Sequence, residues 1–266
     1  SPRAAPRLYE PALQELYGVL IEPVVGDLKR AGARTLMLSL DDQLRLLPFA
    51  ALLDKNRRYL VQDYTLALYN EAAGQALQAP GSTAYRIAAM GLSEAVDGRQ
   101  ALTAVPDELS GILKLPGIEG DAYLNRNFTR ERLRGVLKQA EPKPYNVLHV
   151  ASHFVLKPGQ PEESFLYLGD GSRFSLADMG REALDFSHFD LVTYSACQTA
   201  AAGGRDSTGQ EMESLSARTQ RQGAQAVMAT LWNVSDQSTG HFMHQYYAQR
   251  KDGLNKAEAL RNVQLA

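Results

Sequence analysis

The sequence predicts an α/β protein built around a mostly parallel sheet, and three observations predict it. Strand-length apolar runs alternate with stretches of helical periodicity along the chain, the pattern of layered α/β domains. One run, Tyr145–Ser152 (YNVLHVAS), is almost continuously apolar, as strands buried on both faces of a parallel sheet are. Hydrophobic residues make up 44% and charged residues 22% of the 266 residues, close to ordinary globular usage, so a real core can be buried.

The elements follow in order. Residues 10–30 read as helix, kinked or divided by Pro23. Thr35–Leu40 (TLMLSL) reads as a short strand, Leu44–Leu53 as an apolar stretch broken by Pro48, Asp54–Arg58 as a charged turn, and Tyr59–Tyr69 as further strand. Ala79-Pro80-Gly81-Ser82 is the best internal boundary, giving an N-terminal half over residues 1–80 and a C-terminal half over residues 81–266. Tyr85–Met90 is the next buried strand, Pro106–Leu115 is helical, and Thr129 caps a helix running to about Gln139. After the Tyr145–Ser152 strand, Phe165–Leu168 and Arg173–Leu176 flank Gly169-Asp170-Gly171-Ser172 as a hairpin. Asp190–Ala196 (DLVTYSA) and Gln225–Leu231 (QAVMATL) are further central strands. Between them Thr208 and Glu211 form a capping box, and the helix they open should stop near Gly223; Asn255 and Glu258 repeat the box before a last helix.

Composition also excludes function classes. The net charge of −2 and the lack of a basic stripe with interleaved aromatics give no reason to expect direct nucleic-acid binding. No apolar run approaches the ~18 residues of a membrane span. The N-terminus SPRAAPRLYE has neither an initiating Met nor the apolar core of a signal peptide, and the last helix ends at Ala266 without a stop signal, so the chain reads as a piece of a longer protein. The single cysteine precludes an internal disulfide framework and suggests a reducing, cytoplasmic setting. With no cysteine cluster, no three-histidine set and no GxGxxG or P-loop pattern, no metal or organic cofactor is expected.

The chemistry-bearing feature is a pair of residues at two strand ends. Ligands of open parallel sheets bind beyond the carboxyl ends of the strands. His153 follows the YNVLHVAS run and Cys197 follows DLVTYSA, with one crossover unit between them. An imidazole beside a thiol of pKa ~8.5 can take its proton and later protonate a leaving amine. The small, glycine-rich stretch Gln198–Gly204 leaves the sulfur reachable and backbone N–H groups free for an oxyanion. His149 is a rival base, but it lies about 13 Å back along the strand and reads as a satisfied core histidine. His241 and His244 read as surface residues on one helix face. On spacing alone, His153 and Cys197 are equally readable as two unrelated buried side chains.

The stretches His149-Val150-Ala151-Ser152-His153-Phe154 and Ser195-Ala196-Cys197-Gln198-Thr199 resemble the paired motifs of the CHAT family, caspase-like modules usually attached to tetratricopeptide repeats and distantly similar to separase. The resemblance extends over Leu46–Leu52, Asn127-Phe128-Thr129, Ser164–Gly171, Gly223–Val227 and Leu231–Asp236, from about residue 10 to the end. It implies a caspase-like, mostly parallel sheet with helices on both faces, and an inactive N-terminal half packed on an active C-terminal half. It implies a cysteine endopeptidase with His153 as general base and Cys197 as nucleophile, the backbone N–H groups of Phe154 and Cys197 serving the oxyanion. It also implies a protein substrate and regulation by upstream tetratricopeptide repeats or a partner.

Two departures matter: Phe154 stands where many relatives have glycine, and the usual aromatic-rich C-terminal tail is absent. The Phe154 side chain must find room, and the substrate groove is one place for it. Ser195, two before the cysteine, holds the position that commonly contacts the substrate side chain before the cut. Being neutral, it points to a neutral or apolar P1 residue, with Gln198 and Trp232 as further substrate contacts and Asp206 or Asp236 as sources of charge. The alternatives are a non-catalytic interaction domain that keeps the fold, and a thiol acyltransferase using the same dyad.

Overall fold

The computed structural model describes residues 5–41, 44–45, 47–69, 74, 84–138, 144–155, 157, 160–182, 184–195, 208–230 and 236–266. The chain divides into two compact units, Ser1–Tyr69 with Asn255–Ala266, and Asn70–Leu254.

In the first unit, helices α1 (Ala5–Leu20) and α2 (Glu22–Arg30) are divided at Ile21, with Pro23 in the first turn of α2, where its missing N–H costs nothing. Strand β1 (Thr35–Ser39) follows. The stretch expected to be one strand over 59–69 is instead a short helix α3 (Leu60–Asp63) and then β2 (Thr65–Tyr69). The helix wins locally because the Gln62 side chain reaches back to accept the Tyr59 N–H at 2.8 Å. β1 and β2 pair in parallel, Thr35 opposite Thr65. Ile21, Leu36, Phe49, Leu52, Leu60 and Tyr64 form this unit's core.

The second unit carries β3 (Tyr85–Gly91), α4 (Val105–Leu113), β4 (Ile118–Leu124), α5 (Arg130–Leu137) and β5 (Val147–Ala151). Then come β6 (Phe154–Val155), β7 (Phe165–Tyr167), β8 (Arg173–Ser175), α6 (Leu176–Arg181) and β9 (Leu191–Ser195). It closes with α7 (Thr208–Arg221), β10 (Val227–Ala229) and α8 (Asp236–Lys251). A final helix, α9 (Lys256–Leu265), belongs to the first unit, where Arg261 donates to the carbonyls of Val61 and Gln62.

Five strands form one sheet in the order β4-β3-β5-β9-β10, every neighbour parallel. The α/β, caspase-like class is therefore present. Its central strands β3, β5 and β9 are buried nearly throughout, which is why they read as continuous apolar runs. β4 was not expected: IEGDAYL lies at the sheet edge, where only Ile118 is buried, and it carries the polar residues of such a strand. The predicted hairpin is β7–β8, and β6 joins it in a separate three-stranded antiparallel sheet.

The caps behave as the sequence suggests. Thr129 accepts the Arg132 N–H, and Asn255 and Glu258 exchange the two bonds of a capping box. α7 begins at Thr208, and the side chains of Thr208 and Glu211 lie outside the described residues. The helix ends just before Gly223, whose φ of +110° suits glycine.

An unforeseen box opens α6, where Ser175 and Asp178 cap each other. Burial pushes the Asp178 carboxyl up, but bonds from the Ser175 backbone and hydroxyl, with Arg181 and Arg130, outweigh it and hold the group at about 2. The depressed value means that stability is fully present above the unfolded carboxyl's ~3.9 and is lost as pH falls toward 2. Asp178→Asn should cost about 2 kcal/mol at neutral pH and almost nothing near pH 2. Denaturant melts at the two pH values check this; an equal cost at both would refute the assignment.

Candidate functional site

The site begins with the register of β5 and β9. They pair in parallel with Ala151 opposite Ser195, the last residue of each strand. Two residues further along the chain come His153 and Cys197 respectively. Cys197 itself, with Gln198, Asp206 and Trp232, lies outside the described residues, as does the side chain of Asp236 at the start of α8.

His153 is fully buried. Its Nε2 lies 3.0 Å from the carbonyl oxygen of Gln100, in the loop between β3 and α4. A carbonyl can only accept, so Nε2 carries a proton, and whenever the ring is neutral its lone pair lies on Nδ1. The bond fixes the ring through one nitrogen, an arrangement that can serve acid–base chemistry at the other. The His153 carbonyl accepts the Tyr167 N–H at 3.0 Å. That bond makes Phe154 and Leu166 the non-hydrogen-bonded pair of the β6–β7 ladder. The Phe154 N–H is therefore not committed to β7. The Phe154 ring is buried in the main core with Leu148, Val150 and Leu166, so the residue has found room beneath the sheet.

Ser195 faces inward and is buried. Its hydroxyl donates to Glu108 Oε1 at 2.5 Å. The same oxygen accepts from His149 Nε2 at 2.9 Å, while His149 Nδ1 meets the Tyr247 hydroxyl at 3.2 Å and that hydroxyl meets Thr193 at 2.9 Å. Burial pushes the Tyr247 phenol well above its ordinary value, so it stays an O–H. These groups come from α4, α8, β5 and β9 and form one buried polar network on a single sheet face. Glu108 Oε2 is buried without a hydrogen-bond partner among the described residues.

His149 is thus a satisfied core histidine, engaged at both nitrogens. His241 and His244 are exposed on α8. Among the described residues no cluster of three or more His, Cys, Asp or Glu side chains could hold a metal ion, and no helix is long and apolar enough to cross a membrane. Sequence reasoning missed Glu108 and Gln100. Glu108 had a signal: it lies three residues after Val105 and four before Ile112, on the buried stripe of α4. Gln100 acts through its backbone, which residue type does not report.

Fold and site define the class, a parallel α/β domain of the caspase-like kind with a tautomer-fixed histidine at the carboxyl edge of its central strand. The family model of the CHAT domain matches residues 10–266, and the chain belongs to that caspase-like, peptidase-related family. No curated protein matches the chain.

Removing His149 would take one partner each from the buried Glu108 carboxylate and the Tyr247 hydroxyl, leaving them only Ser195 and Thr193. His149→Ala should cost about 3 kcal/mol in urea unfolding. A loss below about 1 kcal/mol would mean that the network is incidental.

Proposed function

We propose that the chain is a cysteine endopeptidase that hydrolyses a peptide bond in a specific protein partner, with His153 as base and Cys197 as nucleophile. The observation that carries the reading is the bond from His153 Nε2 to the Gln100 carbonyl, made beyond the strand pair that ends at Ala151 and Ser195. It leaves Nδ1 as the proton acceptor, at the edge where parallel sheets work. Family membership adds the class of chemistry.

In this mechanism Nδ1 takes the thiol proton and the thiolate attacks the scissile carbonyl. The tetrahedral oxyanion is held by backbone N–H groups, those of Phe154 and Cys197. Nδ1–H then protonates the leaving amine as the C–N bond breaks to give the thioester. A water adds its oxygen to that carbonyl and gives a proton to Nδ1, the C–S bond breaks, and the Cys197 sulfur takes the proton back. His153 has no solvent contact, so a polypeptide reaches it only after its cover changes. This fits control by upstream tetratricopeptide repeats or a regulatory partner. We place the reaction in the cytoplasm, in keeping with the single cysteine.

Ser195 brings no charge to the substrate, and its hydroxyl is already occupied by Glu108. A neutral or apolar P1 residue is the preference this supports. Such a pocket discriminates by only ~1–3 kcal/mol per methylene, so selectivity depends on a longer stretch of partner.

Cys197→Ala and His153→Ala should each abolish cleavage, by several orders of magnitude in rate, without loss of fold. Chelators should leave the rate unchanged. Comparing protein termini by mass spectrometry between wild type and Cys197→Ala identifies the cleaved partner. A wild-type cleavage pattern in Cys197→Ala would overturn the reading, and a dominant Arg or Lys at P1 would overturn the specificity.

A further inference from the structure

We infer that Tyr167, acting with Asp97 and Arg173, is a positioning clamp that fixes the ring orientation and tautomer of His153. The inference rests on the reading of His153 as the base, and it comes from how the Gln100 carbonyl is held.

Gln100 lies just past a tight turn. Asp97 and Gly98 have φ of +46° and +74°, the Arg99 N–H donates to the Val96 carbonyl at 2.8 Å, and Val96 and Arg99 form an isolated antiparallel bridge. This is the pattern of a primed hairpin turn, which favours Asp-Gly because both central residues need positive φ. The Asp97 carboxylate at its apex accepts the Tyr167 hydroxyl at 2.6 Å and Arg173 at 2.7 Å. Arg173 also lies 4.8 Å over the Phe165 ring, and Arg99 lies 5.8 Å over that of Tyr167. Beneath them Leu92, Phe165 and Tyr167 are buried as a small apolar cluster with Val96 and Val155 packed against it. Packing holds the turn on the β7–β8 hairpin, and the polar contacts fix where on the hairpin it sits.

Tyr167 also holds the segment that bears the base. Its N–H donates to the His153 carbonyl at 3.0 Å, and its own carbonyl accepts the Ser152 hydroxyl at 2.6 Å. One residue therefore anchors both the His153 backbone and, through Asp97, the acceptor of the His153 ring. The orientation of an imidazole hung between two such anchors follows from their separation. Stability does not account for the ion pair: the Asp97 and Arg173 side chains are 49% and 60% exposed, and exposed pairs contribute little. Arg173 and Tyr167 hold the Asp97 carboxyl below its usual range. The clamp is thus closed at every pH above the ordinary carboxyl value of ~3.9 and opens only in stronger acid.

The test reads the tautomer directly. The chain is labelled with 15N-histidine, and the ring nitrogens are followed by NMR across a pH series, with His153 assigned through His153→Gln. Neutral His153 should be almost wholly the Nε2–H form in wild type. Tyr167→Phe, which keeps the ring and its packing, and Asp97→Asn, which changes one exposed atom, should each raise the Nδ1–H form to about half and move the His153 titration midpoint. Where cleavage is measurable, kcat should fall about tenfold with KM within about twofold. Thr129→Ala, which removes a helix cap elsewhere, controls for general destabilisation and should leave the tautomer unchanged. A wild-type tautomer and midpoint in both clamp variants overturn the clamp even if wild type cleaves its partner. A changed tautomer in a protein whose wild type cleaves nothing upholds the clamp and removes the peptidase reading instead.

Discussion

The parallel pairing of β5 with β9, Ala151 opposite Ser195, sets where the residues beyond both strand ends begin. A parallel pair cannot be closed by a tight turn, so the chain must leave the sheet and return through a crossover. Here the crossover carries β6, β7, β8 and α6. It brings the Tyr167 N–H back to the His153 carbonyl, so the detour itself fixes the residue beyond the strand end. A slip of one residue would turn every side chain of β9 to the other face. Ser195 would then lose Glu108, and Tyr194 would leave the apolar core.

The two faces of that strand pair do different work. On one, Leu148, Val150, Val192 and Tyr194 pack with Leu133, Val136 and Leu215 from the helices in an apolar core. On the other, His149, Thr193 and Ser195 meet Glu108 and Tyr247 in a hydrogen-bonded network. Apolar packing tolerates small shifts, whereas a buried network fails if one bond is missed. Both faces therefore hold the register, the apolar one through burial and the polar one through directed bonds. The network lies directly behind the strand ends and anchors Ser195, two residues before Cys197, through its bond to Glu108.

Much of this was legible in the sequence because its signals are local. Continuous apolar runs announced β3, β5 and β9, and Asn255 with Glu258 announced the start of α9. The family resemblance carried the likeness of His153 and Cys197 to a dyad, which spacing alone left open. β4 escaped because an exposed edge strand with Asp121 and Glu119 has little apolar pattern to show. Tyr59–Tyr69 misled because a helical turn closed by one glutamine side chain is hidden inside β-rich composition. The Asp97-Gly98 pair is itself a turn signal, but the Gln100 carbonyl acts through backbone geometry, and the turn is held by Tyr167 across the fold. Residue type and spacing do not encode such contacts.

If His153 activates the thiol of Cys197, the pH profile of alkylation by iodoacetamide reads it out, since the chain holds a single cysteine. In wild type the reactive thiolate should titrate at least about one unit below the ~8.5 of a free thiol, and in His153→Ala it should return to that value. Identical profiles in the two proteins, both at the free-thiol value, would contradict the account.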